Sequence, residues 1–428
     1  MEKNVEKNNK KQFGYKYIVL ALCFLVVLTG LGFCSSNRSL YLSAITEALG
    51  IKRSVFSIAD SLRFIMTAVV NLFFDTLITK FGSKKMMSIG MFSLVLSMLI
   101  HAYATNVLGF YIGGVMLGVG LSWTSTTMVG YVVNKWCTEK KGTIMGAILA
   151  SQGLGSAIAV QIIVPLIYQG ENVFGYRDAY KLIALILCVV GILVVLLFKE
   201  NPSVQENSYE GTQKKNTRGQ RWTGLGYEEV VKKGYFYMTA VCIFFTGFIL
   251  QGVQGIYAAH MRDVQLEVVC IATVASIQSL ALVACKFLTG AIYDKFGLRL
   301  TILICDVAAF VAMLSLAVIS NTSSGRVFAI VYAIASSAAL PLDTIMLPIL
   351  ANDLFGQKSY TKILGLFVSI CTAGYACSYP LFNWVFDVCG SYKPVLLAGG
   401  GITLAVTVVF QFVITVSERQ LYKDFIEN

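Results

Sequence analysis

Lys80-Phe81-Gly82 is repeated as Lys295-Phe296-Gly297, and the two copies lie 215 residues apart in a chain of 428. Each copy is a short charged turn between two long apolar runs. An offset of almost half the length indicates that one helical unit occurs twice in the chain. The repeat therefore predicts two related halves.

The composition predicts that these halves lie in a lipid bilayer. The chain is 56% hydrophobic and 13% charged, with a mean hydropathy of +0.71. A soluble chain of this length could not bury so much apolar surface, whereas a bilayer can. The eleven cysteines have no metal-ligand spacing, so they indicate neither a metal site nor a disulfide framework. The polar N-terminus lacks the features of a cleaved signal peptide, so the first apolar run is interpreted as a retained span.

Twelve apolar runs are long enough to cross a bilayer, which takes about 20 residues per helix. The longest polar stretch, 199–234, separates the sixth run from the seventh. We therefore expect an all-α membrane protein of two pseudo-symmetric six-helix halves, 1–198 and 235–428, joined by a cytoplasmic linker at 199–234. The expected spans are 17–46, 54–79, 86–105, 107–133, 142–167, 179–198, 235–260, 268–293, 300–319, 326–350, 361–388 and 393–416.

Lysine and arginine are concentrated in alternate loops, which indicates how the chain is oriented in the membrane. With the N-terminus in the cytoplasm, the cytoplasmic segments hold most of these residues and the outer loops hold few. We therefore expect both termini in the cytoplasm and the protein in the plasma membrane. The net charge of +11 follows from this asymmetry. Because the cations form no single patch, nucleic-acid binding is not expected.

The two turns resemble a loop motif of the major facilitator superfamily, Gly-x-x-x-Asp-Arg/Lys-x-Gly-x-Arg/Lys. The second copy matches it at five positions, whereas the first has Asp75 in place of the glycine and Thr79 in place of the aspartate. In that superfamily these loops make charge contacts that hold one end of the carrier shut, so the resemblance implies a gating role. The alternative is that the basic residues only mark the cytoplasmic face. The candidate gating residues are Asp75, Lys80, Gly82, Lys84, Gly290, Asp294, Lys295, Gly297 and Arg299.

Three further segments are similar to the monocarboxylate transporters and the oxalate/formate antiporter family. They are the junction of the fourth and fifth spans at 134–146, its counterpart in the second half at 354–365, and the last outer loop at 387–392. The Gly-Pro signature of drug antiporters is absent from the fifth span. The resemblance implies a carrier of small organic anions rather than a drug exporter.

Three cations lie within the expected spans: Lys286, Arg38 and Arg63. A charge there costs about 2.5–3.5 kcal/mol on insertion scales, so such residues are candidates for function. They could hold a carboxylate substrate by charge-assisted hydrogen bonds. By the resemblance, Lys286 stands where the monocarboxylate transporters have a substrate-binding arginine in the eighth helix. The alternative is a structural ion pair between Lys286 and Asp306 of the ninth span.

Arg38 follows a polar break at 35–37 in the first span, and Arg63 lies three residues after Asp60 on one helix face. Arginine cannot release a proton at accessible pH, so Arg38 is a candidate for anion binding and not for proton transfer. Alternatively, Arg38 snorkels at the outer interface, and Asp60 and Arg63 form a structural pair. A third interpretation joins Arg38, Asp60 and Arg63 in a network that rearranges when the outer side closes.

Asp343 of the tenth span is the candidate proton-coupling residue. The monocarboxylate transporters have an aspartate one turn before the cation of the eighth helix, but this chain has Leu282 there. We expect Asp343 to lie near the depth of Lys286 and to neutralise it when no substrate is bound. Protonation of Asp343 would then free the lysine for an anion. Oxalate is disfavoured, because the eleventh span lacks the interior cation that oxalate carriers have.

These features predict a secondary transporter of a small organic anion, a monocarboxylate such as lactate, pyruvate or formate. It would work by alternating access, with proton symport or anion exchange. Two alternatives stay open: transport of another small solute, and a carrier-like nutrient receptor that binds without transport. The HExxH, GxSxG and Walker A patterns are absent, so neither an enzyme nor a cofactor is expected. The expected partners are the anion, protons and the lipid bilayer.

Overall fold

The computed structural model describes residues 2–137, 141–168, 174–200, 226–356 and 358–426. Side chains are described over the same ranges, apart from those at 2–14, 141–143, 361 and 418–426. Within these ranges the chain is helical and contains no strand, as the apolar runs predict. Most of the expected linker, 201–225, lies outside the described residues.

Fifteen α-helices make up most of the described chain. A π-helical segment, Leu28–Ser35, follows the first of them, and a 3-10 segment, Leu340–Asp343, follows the twelfth. The α-helices are α1 (Glu2–Val27), α2 (Ser39–Leu49), α3 (Arg53–Leu72), α4 (Phe74–Tyr103), α5 (Val107–Thr124), α6 (Thr126–Trp136), α7 (Lys141–Tyr168), α8 (Gly175–Leu197), α9 (Tyr227–Lys232), α10 (Gly234–Asp263), α11 (Val268–Val318), α12 (Ser323–Ala339), α13 (Met346–Phe355), α14 (Tyr360–Cys389) and α15 (Lys393–Ile426).

Eleven helical stretches in the described residues are long and apolar enough to cross a bilayer. One of them, α11, has 51 residues. If it were straight it would be about 76 Å long, more than twice the hydrocarbon thickness. It bends at Gly297, whose φ of 80° and ψ of −179° are not helical. Its two legs therefore cross separately, which gives twelve crossings, and the prediction of an all-α membrane protein is confirmed.

The two copies of the repeated turn have the same backbone geometry. Gly82 has φ 80° and ψ 161° inside α4, and Gly297 has φ 80° and ψ −179° inside α11. A residue with a Cβ atom rarely adopts such a φ, whereas glycine does so without strain. Glycine therefore lets the chain turn within a few residues and begin the next helix at the same place in both copies.

Within the described residues, the first, fourth and tenth crossings are interrupted inside the bundle. The first changes to the π-helical segment and a turn at 36–38 before α2 begins, as the polar residues there predict. The fourth is interrupted at Ser125, and the tenth at 340–344. Neither of these two breaks follows from hydropathy. In membrane carriers such interruptions occur where the backbone lines a cavity or a ligand site.

The two ends of the bundle are packed differently. We call the end with connections 50–52, 264–267 and 390–392 the distal end, and the end that holds both termini the terminal end. Toward the distal end, residues such as 249–277 share one hydrophobic core with the N-terminal half. Toward the terminal end, residues such as 298–309 belong to a separate core made only from the C-terminal half. The bundle is therefore closed at its distal end, and among the described residues no hydrophobic core is common to both halves toward the terminal end.

Candidate functional site

A buried ion-pair network lies at the break in the first crossing. Arg38, in the turn before α2, donates from Nε to Asp60 Oδ1 of α3 over 2.8 Å. The Nε atom of Arg63 lies 3.4 Å from the same oxygen, and its Nη1 donates to Ser35 Oγ over 2.9 Å. All three charged side chains are buried. The structure thus brings Arg38, Asp60 and Arg63 together, and Arg38 lies inside the bundle rather than at an interface.

This network carries one more positive charge than negative charge. His101 of α4 does not add to it, because its Nδ1 lies 2.8 Å from the carbonyl oxygen of Ser97 and its Nε2 lies 3.2 Å from Arg38 Nη1. A carbonyl oxygen only accepts, so we assign the ring proton to Nδ1, and Nε2 accepts from the guanidinium. Two guanidiniums therefore share the carboxylate of Asp60, and an added anion would be stabilised beside them.

Two nitrogen atoms of the network have no hydrogen-bond partner among the described residues, Arg38 Nη2 and Arg63 Nε. The 3.4 Å contact of Arg63 Nε with Asp60 is an ion pair without hydrogen-bond geometry. The Arg63 guanidinium also lies 4.0 Å from the centre of the Phe64 ring, a cation–π contact that partly replaces water. Buried donors without a partner cost about 1–3 kcal/mol each, so an acceptor that reaches them binds favourably.

Lys286 and Asp343 are near each other without bonding. Lys286, in the first leg of α11, is half-buried and forms no hydrogen bond or ion pair with the residues that the structure describes. The Asp343 carboxylate is close enough to interact with it electrostatically. Asp343 ends the 3-10 segment, and its Oδ2 accepts from Gln251 Nε2 of α10 over 3.1 Å. Its Oδ1 has no partner in the described chain, so both groups can bind something further.

Asp306 does not form an ion pair with Lys286. It lies in the second leg of α11, buried against α10 and α15 inside the C-terminal half. The alternative in which Asp306 neutralises Lys286 by a direct bond is therefore not observed.

Two tyrosines of α14 connect the network of the first half to Asp343 of the second. Tyr375 Oη donates to the main-chain oxygen of Asp343 over 3.4 Å, and its ring centre lies 5.1 Å from that of Phe64. One turn later, the Tyr379 ring centre lies 5.7 Å from that of Phe64, and its hydroxyl adjoins Arg63. Arg63 of the first half and Asp343 of the second therefore border one region between α3 and α14.

The candidate gating loops lie at the terminal end. In the described residues the first loop contacts the start of the expected linker, and the second contacts its own half. The N–H of Lys84 donates to Glu200 Oε1 over 3.0 Å. Arg299 Nε donates to Gln411 Oε1 over 3.1 Å. Gly290 faces open space. The gating role implied by the resemblance stays a prediction for these loops. Asp75, Lys80, Asp294 and Lys295 are exposed.

A charge cluster that the sequence did not predict closes the distal end. Arg53, the first residue of α3, donates from Nη1 and Nη2 to the two carboxylate oxygens of Asp263 in α10, over 2.6 and 2.7 Å. The N–H groups of Arg53 and Ser54 donate to the carboxylate of Asp387 in α14, over 3.2 and 2.9 Å. A bidentate pair and a carboxylate at a helix N-terminus are both favourable arrangements. We call Arg53, Asp263 and Asp387 the distal latch. It joins the two halves, because α3 belongs to the first half and α10 and α14 belong to the second.

The sequence held only a weak signal for the distal latch. Arg53, Asp263 and Asp387 all lie at ends of expected spans, where charges are common, and they are far apart along the chain. Gln251 and His101 were missed as well, although a polar side chain inside an apolar span marks both positions. Such residues are identified by their proximity in the folded structure, because their separation along the sequence follows no motif.

Twelve crossings, interrupted helices around buried charges and closure at one end are the features of a membrane carrier that works by alternating access. The family model described as Major Facilitator Superfamily matches residues 20–372. The chain therefore belongs to the major facilitator superfamily. It is an integral multi-pass membrane protein of a family whose members move small solutes across membranes and are not enzymes.

Individual relatives are distant. The sialic acid transporter NanX of Escherichia coli (strain K12) is 23% identical over 294 residues, which cover 67% of this chain and 67% of NanX. Monocarboxylate transporter 12 of Rattus norvegicus is 21% identical over 328 residues, which cover 71% of this chain and 66% of that protein. A crystal structure of the nucleoside transporter NupG is similar with a TM-score of 0.74 at 14% identity, covering 92% of this chain and 99% of NupG. The major facilitator fold and the similarity to monocarboxylate transporters are thus confirmed.

Proposed function

We propose that this chain is a secondary transporter of a small organic anion, a monocarboxylate, that works by alternating access. The observation that carries the proposal is the surplus positive charge inside the bundle, where Arg38 and Arg63 share the Asp60 carboxylate. A buried surplus charge is costly unless an ion of opposite sign neutralises it. A substrate carboxylate supplies that charge and also the acceptors that the unpaired guanidinium nitrogens need.

Lys286 and Asp343 provide the link to protons in this proposal. Without substrate, the Asp343 carboxylate attracts Lys286 electrostatically. Protonation of Asp343 removes this attraction, so the lysine can bind a carboxylate instead. Anion uptake is then driven by a proton gradient. Exchange of one anion for another needs no change at Asp343.

The transport cycle follows from the unequal ends of the bundle. The distal latch holds the halves together at one end, and the tyrosines of α14 lie between the Arg38–Asp60–Arg63 network and Asp343. Rocking of the halves would open the latch and close the terminal end, where the turns at Gly82 and Gly297 lie. We assign the terminal end to the cytoplasm of a plasma-membrane protein, because it holds most of the lysines.

The names of two relatives support an anionic substrate. NanX is named for sialic acid and the rat protein for monocarboxylates, and both are carboxylic acids. NupG is named for nucleosides, but its identity of 14% supports the fold alone. A neutral solute would leave the surplus charge at Arg38 and Arg63 without a counter-ion, so we favour the anion.

Uptake of labelled lactate by proteoliposomes under an inward proton gradient tests this proposal. In Lys286→Gln the charge is lost and most of the side chain is kept. We expect uptake to fall about 10- to 100-fold, since a hydrogen bond to a charged group contributes about 1.5–3 kcal/mol. The matched control is Lys181→Gln, because Lys181 is exposed on α8 and paired with Asp178, and we expect normal uptake.

Two results would contradict the proposal at different points. Equal uptake by Lys286→Gln and the intact protein would show that the lysine does not hold the substrate. Failure of the intact protein to take up or exchange lactate, pyruvate and formate would exclude a monocarboxylate of this size.

A further inference from the structure

The two halves meet in a polar contact between α7 and the first leg of α11. The hydroxyl oxygens of Ser156 in α7 and Ser279 in α11 lie 2.8 Å apart. The helices approach closely here, because a Cβ atom at Gly153 would lie only 2.6 Å from the main-chain oxygen of Ser279. Ser156 is 2% exposed and Ser279 is half-buried. The contact is therefore largely shielded from water.

The Ser279 hydroxyl has two acceptors within reach. Besides Ser156 Oγ, the main-chain oxygen of Ala275 lies 2.8 Å from Ser279 Oγ, one turn earlier in the same helix. A hydroxyl group carries one proton, so Ser279 donates to only one of these acceptors at a time. One acceptor belongs to the N-terminal half and the other to the C-terminal half, and the two distances are equal.

Asn37 decides which acceptor Ser279 uses while the halves are in contact. Its Nδ2 donates to the main-chain oxygens of Gly32 and Ser156, both over 3.2 Å. Carbonyl oxygens only accept, so the amide cannot be reversed, and Asn37 Oδ1 faces Ser156 Oγ at 3.0 Å. Asn37 is buried, and an unpaired Oδ1 would be costly. Ser156 therefore donates to Asn37 and accepts from Ser279.

Separation of α7 from α11 leaves none of these donors without an acceptor. Ser279 turns its proton to the main-chain oxygen of Ala275, which has a second lone pair besides the one that accepts from the helix. Ser156 keeps its own acceptor, Asn37 Oδ1, because both belong to the N-terminal half. The contact therefore exchanges one hydrogen bond for another when the halves part.

The contact between α3 and α14 lacks this alternative. The Ser61 hydroxyl of α3 donates to the main-chain oxygen of Ala376 in α14, and the described part of the chain offers it no second acceptor. Parting of α3 from α14 thus breaks a bond between the halves that the protein does not replace. The exchange of acceptors is a property of the α7–α11 contact and not of every contact between the halves.

We propose that Ser279 is a hydrogen-bond switch between two states of the carrier. Its proton lies on Ser156 when the distal end is closed and on the Ala275 oxygen when the distal end is open. Equal distances to the two acceptors favour neither state strongly, as alternation between states requires. The inference rests on the alternating-access cycle proposed above, but it does not depend on which solute is carried.

Labelling of Ser61→Cys by an impermeant maleimide tests the switch without any transported substrate. Position 61 is buried against α14, so the labelling rate in a background without other reactive cysteines reports the population open at the distal end. Ser279→Ala removes the bond across the halves, and the Ala275 oxygen keeps its helical N–H. We expect the labelling rate to rise about three- to tenfold, because the closed state alone loses a hydrogen bond.

Two further single variants and one double variant locate the effect. Ser156→Ala removes the acceptor of the same bond, so a similar rise is expected, and the double variant with Ser279→Ala should label no faster than either single variant. Ser276→Ala is the matched control. Ser276 accepts from Gln161 Nε2 over 3.0 Å across the same pair of helices, but that contact is exposed, so water replaces it. Its labelling rate should equal that of the protein with Ser61→Cys alone.

Two results would overturn the switch. If Ser279→Ala labelled no faster than Ser276→Ala, the bond to Ser156 would not hold the closed state. If the rise in the double variant equalled the product of the two single rises, the serines would act separately, by packing. Lack of uptake or exchange of any monocarboxylate would contradict the proposed substrate and leave the labelling result unaffected, so the two failures are distinguishable.

Discussion

Each half of the bundle holds basic and acidic side chains inside the membrane, but the two halves hold them differently. In the first half, Arg38 and Arg63 both contact Asp60, and all three side chains are buried. In the second half, Lys286 is half-buried and Asp343 bonds to a glutamine rather than to the lysine. The first arrangement is a network with its contacts already made, whereas the second is a pair whose direct contact is absent.

The two arrangements suit different roles, although both consist of basic and acidic side chains: one stabilises the fold and the other can bind protons or a ligand. Breaking a made and buried ion pair leaves a charge without compensation, which costs folding free energy. A pair that is close but not bonded can change partners with little rearrangement, which suits proton and ligand binding. We therefore expect changes in the first half to act on stability as well as uptake, and changes in the second to act on uptake alone.

The largest expected effect is that of Asp60→Asn. It leaves the guanidiniums of Arg38 and Arg63 buried without a carboxylate, and we expect the free energy of unfolding to fall by about 3–5 kcal/mol. Thermal unfolding and the monodisperse yield in detergent measure this loss. The control is Asp178→Asn, which breaks the exposed pair with Lys181 and should cost less than about 1 kcal/mol. Equal stability of the two variants would mean that the ion pairs of Asp60 with Arg38 and Arg63 do not stabilise the fold.

Asp343→Asn tests the second half, where we expect an effect on proton coupling and not on stability. The amide keeps the size of the side chain but can neither attract Lys286 nor change its charge with pH. We expect proton-driven lactate uptake to fall at least about tenfold, while lactate exchange at constant pH and Tm stay nearly unchanged. Asp353→Asn is the control, because Asp353 of the same half bonds to Tyr293 over 2.7 Å and lies in α13. Proton-driven uptake that survives Asp343→Asn would remove Asp343 from the coupling mechanism.

The sequence predicted the parts of this molecule that the bilayer dictates. Backbone groups in lipid must bond within their own segment, so apolar runs become helices and glycine turns such as Gly82 and Gly297 separate them. Charges such as Arg38 stand out because they are expensive in an apolar run. The breaks at Ser125 and at 340–344 were not predicted, since apolar composition does not report backbone geometry.

The distal latch shows a second limit of the sequence, because it joins residues that lie far apart along the chain. Arg53→Gln removes the bidentate pair with Asp263, and we expect the population open at the distal end to rise about tenfold, equivalent to about 1.4 kcal/mol. Labelling of Ser61→Cys by an impermeant maleimide, in a background without other reactive cysteines, measures this population, since Ser61 is buried against α14.

The control for the latch is Arg326→Gln. Arg326 forms an exposed pair with Glu267 at the same end of the bundle, but both residues belong to the second half. This variant should leave the labelling of Ser61→Cys unchanged. If Arg53→Gln gave no more labelling than Arg326→Gln, the pair with Asp263 would contribute nothing to closure.

The smallest expected effect is that of Tyr375→Phe. This variant tests whether the Arg38–Asp60–Arg63 network and the Lys286–Asp343 pair act together in binding the substrate. Its hydroxyl makes a long, 3.4 Å bond to the main-chain oxygen of Asp343, while its ring packs on Phe64 beside the network of the first half. Loss of the hydroxyl costs about 0.5–1 kcal/mol, and we expect KM for lactate to rise about two- to fivefold with Tm unchanged. Tyr237→Phe, at an exposed tyrosine of α10, is the control. A fall in Tm at unchanged KM would mean that Tyr375 only packs between the halves. The Arg38–Asp60–Arg63 network and the Lys286–Asp343 pair would then bind the substrate independently of each other.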